Sequence, residues 1–457
     1  MDEQQLAALK PELDRFLDRF APLFGVEQNQ THARCFVQGL LHQGERRNSE
    51  NIAQAIAGCN VRNLQAFVTT GAWRDDALLA ELRGCVLEVL ADADAVCNYD
   101  ETGFPKKGTK SVGVKRQYSG TLGRTDNCQV GVFANYCSPK GHTFLDRRLF
   151  LPQEWADDKA RRAEAGVPAA VVFRTKPELA LEMLSEACAA GIAIRWVGGD
   201  SVYGDSPVFV AGVRQLGKWY VLDTASDTRV WAEEPKVVQA QERARVGRGR
   251  RPSKPEVIGQ ARRVDEVFAG LPESAWKRVL VGEGSKGPRL YDYAEVWVWF
   301  KEDELPGPRE RLLARRSIGQ EPEIKYHRSN APEEVPLEKV AEVRGRRWTI
   351  EEDIQSGKGE CGLDEYETRG WLGWHHHTAL ALLALTFLVL QKLRLGEKRG
   401  TDERAGSARP VASPVGSARV GHRRDPQVVS LAAGTQQAGC RKPSHAACRR
   451  PAPAAAK

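Results

Sequence analysis

Three acids stand where the character of the sequence changes. Asp100 follows the apolar run Ala95-Val96-Cys97-Asn98-Tyr99 and precedes a Thr-Gly turn, and Asp200 follows Ile192–Val197 and the pair Gly198-Gly199. Glu351 lies in Arg346-Arg347-Trp348-Thr349-Ile350-Glu351-Glu352. On a helix advancing ~100° per residue, Arg347, Glu351 and Lys358 fall within ~40° of one another, giving a face of cation, carboxylate and cation. Alone, such a face describes a solvated helix with an i,i+4 ion pair. With two further acids at strand ends it meets the needs of two-metal phosphodiester chemistry, in which two Mg²⁺ ions ~3.5–4 Å apart share a carboxylate and take hard oxygen ligands. Glu101, Asp205 and Glu352 are neighbouring acids whose ordinary roles are surface charge or turn capping. The short side chain of Asp100 at a strand end favours it over Glu101, and Glu352 is rotated by ~100° from Glu351. Gly357 sits awkwardly, because glycine costs ~1 kcal/mol inside a helix, and it marks a possible helix end ahead of Lys358.

The elements that must position these residues follow from hydrophobic periodicity. Residues 3–90 read as helices: Leu6, Leu9, Leu13, Phe16, Leu17 and Phe20 recur at spacings of three and four, and similar patterns follow at Ala33–Leu41, Ile52–Ala57, Leu64–Thr69 and Asp76–Leu90. Ser49 is the candidate N-cap of the third helix, and Arg46 and Arg47 fall in the turn before it. A helical domain of this kind suits contact with DNA or a second subunit, with a purely structural role left open. From Ala93 the pattern turns to strands, ending at Asp100, then Ser111–Tyr118, Cys128–Tyr136 and Thr143–Leu151. A helix at Lys176–Ala190 leads into Ile192–Val197, a helix at Ser206–Leu216 and a strand at Trp219–Leu222. Strands, helix, strand, helix, strand is the order of an RNase H-like domain. The expected fold class is α/β: an RNase H-like mixed sheet flanked by helices and interrupted by a mainly β insertion, after an all-α N-terminal domain and before a disordered tail. The boundaries are residues 1–92 (helical), 93–223 (catalytic, first part), 224–335 (insertion), 336–397 (catalytic, second part) and 398–457 (tail).

Within the insertion, Arg243–Arg263 is basic and broken by Gly and Pro, and Gly247-Arg248-Gly249-Arg250-Arg251-Pro252 has the make-up of either a minor-groove hook or a solvated loop. Lys286 lies in Gly284–Arg289, a hairpin tip that could reach phosphate. Val279–Gly282, Ala294–Phe300 and Leu312–Ser317 read as strands of a small β core. Farther on, His375-His376-His377 cannot all face one ion on a helix and points to packing or phosphate contact rather than a metal. The helix that follows runs through Leu390, and the folded body should end near Leu395.

Composition limits the rest. The chain has 457 residues with 41% apolar residues, enough for a large core, and ten cysteines without a CxxC pair, as in a reduced cytosolic protein. The N-terminus carries no basic-then-apolar signal pattern, and the apolar window Thr378–Leu390 is shorter than the ~17–25 residues of a bilayer span. No membrane partner is expected, and the expected compartment is the cytosol. Of the net charge of +7, residues 398–457 hold 12 Lys and Arg against 3 Asp and Glu, a balance of +9 that leaves −2 for residues 1–397. That tail has six prolines and no aromatic residue, a composition that cannot offset its ordering entropy.

Several runs carry a family resemblance: Asp100–Gly108, Ser111–Gly120 and Asp126–Gly131, followed by Trp348–Glu352 and Gly362–Glu367. They resemble bacterial insertion-sequence transposases of the DDE superfamily, most of all the insertion sequence seven-oh-one group, over about residues 30–395. The group's pattern of Tyr, two residues, Arg, three residues, Glu, six residues and Lys matches at Arg347, Glu351 and Lys358, with Arg344 where the Tyr would stand. The resemblance implies a metal-dependent endonuclease and strand transferase. Asp100, Asp200 and Glu351 would be its catalytic metal ligands, for two Mg²⁺ ions that Mn²⁺ could replace. Arg347 and Lys358 would hold DNA phosphate, and Trp348 would either stack on a base or pack in the core. The implied partners are double-stranded DNA, as transposon ends and target, and a second copy of the chain when two ends are synapsed. A catalytically decayed DNA-binding relative and a stand-alone RNase H-like nuclease are the alternatives.

Overall fold

The computed structural model describes residues 3–42, 46–119, 123–242, 253–284 and 287–406. Contacts divide the chain after Asp402, and the described residues before that point form the first, compact unit. In the first, five helices come at the start: α1 (Glu3–Phe20), α2 (Glu27–Leu41), α3 (Ser49–Ala55), α4 (Val61–Thr69) and α5 (Asp75–Leu90). Each buries its 3–4 stripe, through residues such as Leu17 and Phe20, Phe36 and Leu40, Leu64 and Phe67, and Leu78 and Leu82. The cap of α3 is Asn48, one residue before the expected Ser49, and its side chain accepts from the Asn51 amide at 2.9 Å. Arg47 turns inward to Glu365 at 3.3 Å, while Arg46 stays exposed.

Strands β1 (Val96–Pro105), β2 (Lys115–Ser119), β3 (Arg124–Ser138) and β4 (Gly141–Phe150) come next, then helices α6 (Gln153–Asp157), α7 (Lys159–Glu164) and α8 (Lys176–Ala189). Strand β5 (Trp196–Gly199), helices α9 (Ser201–Gly204) and α10 (Pro207–Gln215) and strand β6 (Trp219–Thr224) follow. The inserted stretch holds β7 (Arg229–Trp231), β8 (Lys236–Val238), β9 (Glu256–Ile258), β10 (Arg262–Arg263), α11 (Val264–Ala269), β11 (Lys277–Gly284), β12 (Gly287–Glu302), β13 (Leu305–Arg316) and β14 (Ile324–Ser329). Helices α12 (Leu337–Gly345), α13 (Trp348–Cys361) and α14 (Trp371–Gly406) complete the described chain.

One twelve-stranded mixed sheet runs β10-β7-β12-β13-β14-β6-β5-β1-β3-β2, with β11 on β12 and β4 on β3. Strands β1, β5 and β6 are parallel neighbours. The inserted strands have apolar residues of their own around Val230, Val298, Phe300 and Leu312; β8 and β9 pair as a separate two-stranded ribbon, and the others join the main sheet. Strand β14 pairs antiparallel with β6, Ser329 opposite Val221, and so covers an edge that would otherwise present bare backbone.

Two expected boundaries move, one because pairing outweighs a local turn preference and one because a turn displaces the start of an expected strand. Strand β1 does not stop at Tyr99 but runs through Asp100 and the Thr-Gly pair, because β3 keeps pairing with it as far as Pro105 opposite Cys128. The stretch from Ser111 is a turn with Gly113 at φ +72°, and β2 begins only at Lys115. In β1 the alternation is decisive: Cys97 and Tyr99 pack toward α8 and α10, while Val96, Asn98 and Asp100 face α12 and α13.

Helix α14 is longer than expected. From Trp371 to Gly396 it is long and apolar enough to cross a membrane, with a mean hydropathy of 1.7, but residues 373–387 are buried, packed against α1, α2, α4 and the β1–β3–β4 face. It also continues past Leu395 to Gly406, where a disordered tail was expected from 398; residues 407–457 of that tail lie outside the described residues.

Candidate active site

Register brings the acids together. Asn98 is opposite Gly198 in the β1–β5 pair, and Gly199 is opposite Leu222 in the β5–β6 pair. Continuing both parallel ladders places Asp100, Asp200 and Asp223 at one level on three adjacent strands. Asp100 is therefore a mid-strand residue, whereas Asp200 leaves the end of β5 and caps α9, its Oδ1 accepting from the Val202 amide at 2.9 Å. Helix α13 crosses this level from the side. Arg347, at its N-terminus, donates through Nη1 to Asp100 Oδ2 at 3.0 Å and through Nη2 to Glu351 Oε1.

Beside the buried Ile350 and Cys361, a polar plate docks the helix. Asn98 Nδ2 donates to Asn135 Oδ1 at 3.0 Å and to the Arg346 carbonyl at 3.3 Å. Asn135 Nδ2 in turn donates to Thr349 Oγ1 and to Asp353 Oδ2, both at 2.9 Å, and His142 Nδ1 meets Asp353 Oδ1 at 2.9 Å. Gly357 does not end the helix, which continues to Cys361 and closes on Gly362 at φ +58°. A Cβ at 357 would lie 3.2 Å from Leu363 Cδ2 and 3.4 Å from Phe144 Cε2, so glycine permits the close approach. Lys358 consequently stays on the helix, with Nζ 3.4 Å from the Gly103 carbonyl and above the Phe104 ring.

The neighbouring acids are otherwise engaged. Glu101 points to the opposite face of β1, where Lys176 Nζ reaches it at 2.7 Å and the Tyr203 hydroxyl donates at 3.2 Å. Asp205 holds the turn after β6, accepting from Thr224 Oγ1 at 2.6 Å and the Ala225 amide at 3.1 Å. Glu352 lies 3.4 Å from His142 Nε2.

Positive charge is short in this cluster. Burial, opposed by Arg347, pushes Asp100 up to about 6. Burial, with repulsion from Glu101 and Asp100, pushes Asp200 up to about 7. Among the described residues no three His, Cys, Asp or Glu side chains stand close enough to hold a metal ion in this arrangement. Instead the Arg347 guanidinium lies between two of the carboxylates. Oxygen donors from two strands and a helix, with uncompensated buried charge and an organic cation among them, form a donor set suited to hard divalent cations.

Asp223 was missed by sequence reasoning, although it follows the run Trp219–Leu222 as Asp100 and Asp200 follow theirs. It is half-buried, yet its carboxyl stands well below the usual range: desolvation alone would raise it, but Arg344 and His327 outweigh that. Arg344 Nε and Nη2 grip its two oxygens at 2.7 and 2.9 Å, and His327 Nδ1 meets Oδ1 at 2.8 Å. Burial beside Arg344 lowers His327 to about 4, so the ring is neutral at physiological pH. Arg344, the departure from the family's tyrosine, thus has a structural task.

Trp348 is 48% exposed on the first turn of α13, contrary to core packing. Its exposure follows from its position: with Arg347 and Glu351 turned to the acids and Ile350 buried, residue 348 is left outside. The three histidines of α14 are buried and meet backbone carbonyls: His375 that of Trp371, His376 those of Val68 and Trp73, and His377 that of Gly362. They are packing residues. Arg248, Arg250, Arg251 and Lys286, the other candidate DNA contacts, lie outside the described residues.

A family model described as DDE superfamily endonuclease matches residues 19–288, a span that includes Asp100, Asp200 and Asp223 and stops before α12 and α13. A probable transposase for insertion sequence element IS701 from Microchaete diplosiphon is 32% identical over 193 residues, 41% of this chain and 47% of that protein; the match thus spans about half the relative's length. Among solved structures, a piggyBac transposase synaptic complex with hairpin DNA is similar at 10% identity and a TM-score of 0.38, over 82% of this chain and 68% of that one.

Proposed function

The chain belongs to the DDE superfamily endonucleases, and from that premise we propose that it is a DNA transposase that cuts phosphodiester bonds at the ends of its own element and joins those ends to target DNA. The observation that carries this reading is the convergence of β1, β5 and α13, in which one guanidinium ties Asp100 to Glu351 beside the level of Asp200. The likeness to an insertion-element transposase supports the same substrate. By this proposal β1–β6 with α12–α14 form an RNase H-like catalytic domain, residues 1–92 a helical DNA- or subunit-binding domain, 224–335 an insertion and 398–457 a basic tail, in a cytoplasmic protein that works as a dimer on two ends.

Asp100, Asp200 and Glu351 are the residues that would hold two Mg²⁺ ions, with Mn²⁺ as a substitute. When bound, such ions activate water or a 3′-hydroxyl and stabilise the leaving oxygen. The protein's own groups do the rest. The polar plate under α13 fixes the height of Glu351 over β1. Arg347 offers a planar fork and Lys358 a point charge to the phosphates flanking the scissile bond, and the exposed Trp348 ring offers a stacking face to a displaced base.

The test is cleavage of duplex DNA carrying the element's terminal repeats in Mg²⁺ or Mn²⁺. Asp100→Asn, Asp200→Asn and Glu351→Gln should each lower cleavage by about 10²–10³ or more, as loss of a preorganised charge does, with the far-ultraviolet circular dichroism retained. Unchanged cleavage by the Asp200 variant would sink the assignment. Cutting without joining would make the protein a nuclease only.

A further inference from the structure

Arg347 occupies a position that the proposed chemistry requires it to leave. Its Nη1 and Nη2 are spent on Asp100 and Glu351, the same carboxylates that a divalent cation would take. A guanidinium holds two carboxylates apart by its own width, so the ligands close on a smaller ion only when Arg347 withdraws. Its Nε, by contrast, is buried without a hydrogen-bond partner and lies 4.0 Å from Asp223 Oδ2. Asp223 is itself kept charged and fixed by the Arg344 fork and His327, and a carboxylate has about four acceptor positions, so room for another donor remains.

We propose that Arg347 is the resident counter-cation of the acid cluster, and that Asp223 is a positioning residue: the berth to which Arg347 moves when a divalent cation takes Asp100 and Glu351. This rests on the metal-site reading above and adds an order of events to it. Before loading, Arg347 neutralises the acids. Afterwards it closes the gap to Asp223 through Nε, and both Nη groups are freed toward DNA phosphate. One guanidinium thus becomes a phosphate donor only in a loaded site.

Calorimetric titration of the full chain with Mn²⁺, without DNA, tests this. Asp223→Asn should weaken binding by roughly tenfold, the scale of losing a group behind a metal ligand. Arg347→Met should bind Mn²⁺ more tightly than wild type, since no cation has to be displaced. In the Arg347→Met background, Asp223→Asn should change affinity by less than about twofold, which is the coupling a double-mutant cycle measures. An equal loss in both backgrounds would make Asp223 a ligand or a distant charge and overturn the proposal alone. Wild-type binding that is absent, or unaffected by Asp100→Asn, would overturn the metal-site reading and the proposal with it. Should Asp223→Asn not fold, crystal structures of the wild type with and without Mn²⁺ decide: Arg347 Nε on Asp223 in the loaded form supports the proposal, and Arg347 still on Asp100 refutes it.

Discussion

Asp100 and Glu101 are adjacent acids with opposite fates, and the two-residue period of a strand separates them. Because Asn98 lies under α13, Asp100 must lie there too, while Glu101 turns to Lys176 and Tyr203. Glu101→Gln should therefore cost only ~0.5–1.5 kcal/mol of stability, about that of a modest hydrogen-bonded pair, and leave DNA cleavage within about tenfold of wild type; a loss as deep as that of Asp100→Asn would show that the wrong acid had been chosen. Asp100 was legible as a short acid after an apolar run, and Glu351 by the helical face it shares with Arg347 and Lys358. Asp223 carried the same mark, an acid after an apolar strand, but nothing in the linear order says that β6 lies beside β5. Arg344 read as a blemish in a motif, since its partners His327 and Asp223 are 17 and 121 positions away.

At the scale of elements, α13 shows what periodicity hides. Its charged face is plain from spacing, but its buried face consists of Ile350, Asp353, Gly357 and Cys361, half of it polar or without a side chain. The partners of that face, Asn98, Asn135 and His142, belong to β1, β3 and β4, and no local pattern pairs them with the helix. Gly357 looked like a helix end for the same reason: its neighbours Leu363 and Phe144 were not in view. Gly357→Val should overpack this contact and lower stability by ~1–3 kcal/mol, read as a fall in thermal midpoint; a rise would mean that Leu363 gives way and that helix propensity alone governs the position. The length of β1 was hidden likewise, because Thr102-Gly103 reads as a turn until fifteen-residue β3 is laid against it.

For the whole molecule, the succession of helices, strands, helix, strand, helix and strand was readable, but the destination of the inserted strands was not. Sheet continuity through β14 and β6 is a property of edges. Binding across distant elements also sets the acid response. Arg147 on β4 joins Asp75 of α5 at 2.6 Å, the His375 carbonyl at 2.9 Å and Thr378 Oγ1 at 3.1 Å. Burial would raise Asp75, but Arg147 and the nearby histidines outweigh it and hold the carboxyl at about 2 against an ordinary 3.8. A folded value below the unfolded one means stabilisation that is complete above pH ~4 and lost as pH falls through ~2, on the order of 2 kcal/mol at 1.36 per unit. Asp75→Asn should be less stable at neutral pH and should lose less between those limits in urea titrations. An unchanged acid slope would show that other carboxylates carry the response.

The core that contains Phe20, Phe36 and Leu82 also contains Trp374, Leu383 and Phe387, so the first helices made share their interior with the last. Synthesis proceeds at ~5–20 residues per second, so α1–α5 wait on the order of tens of seconds for α14 to leave the ribosome. A chain broken off before Trp371 would carry both Asp100 and Asp200 and still expose the apolar side of five helices.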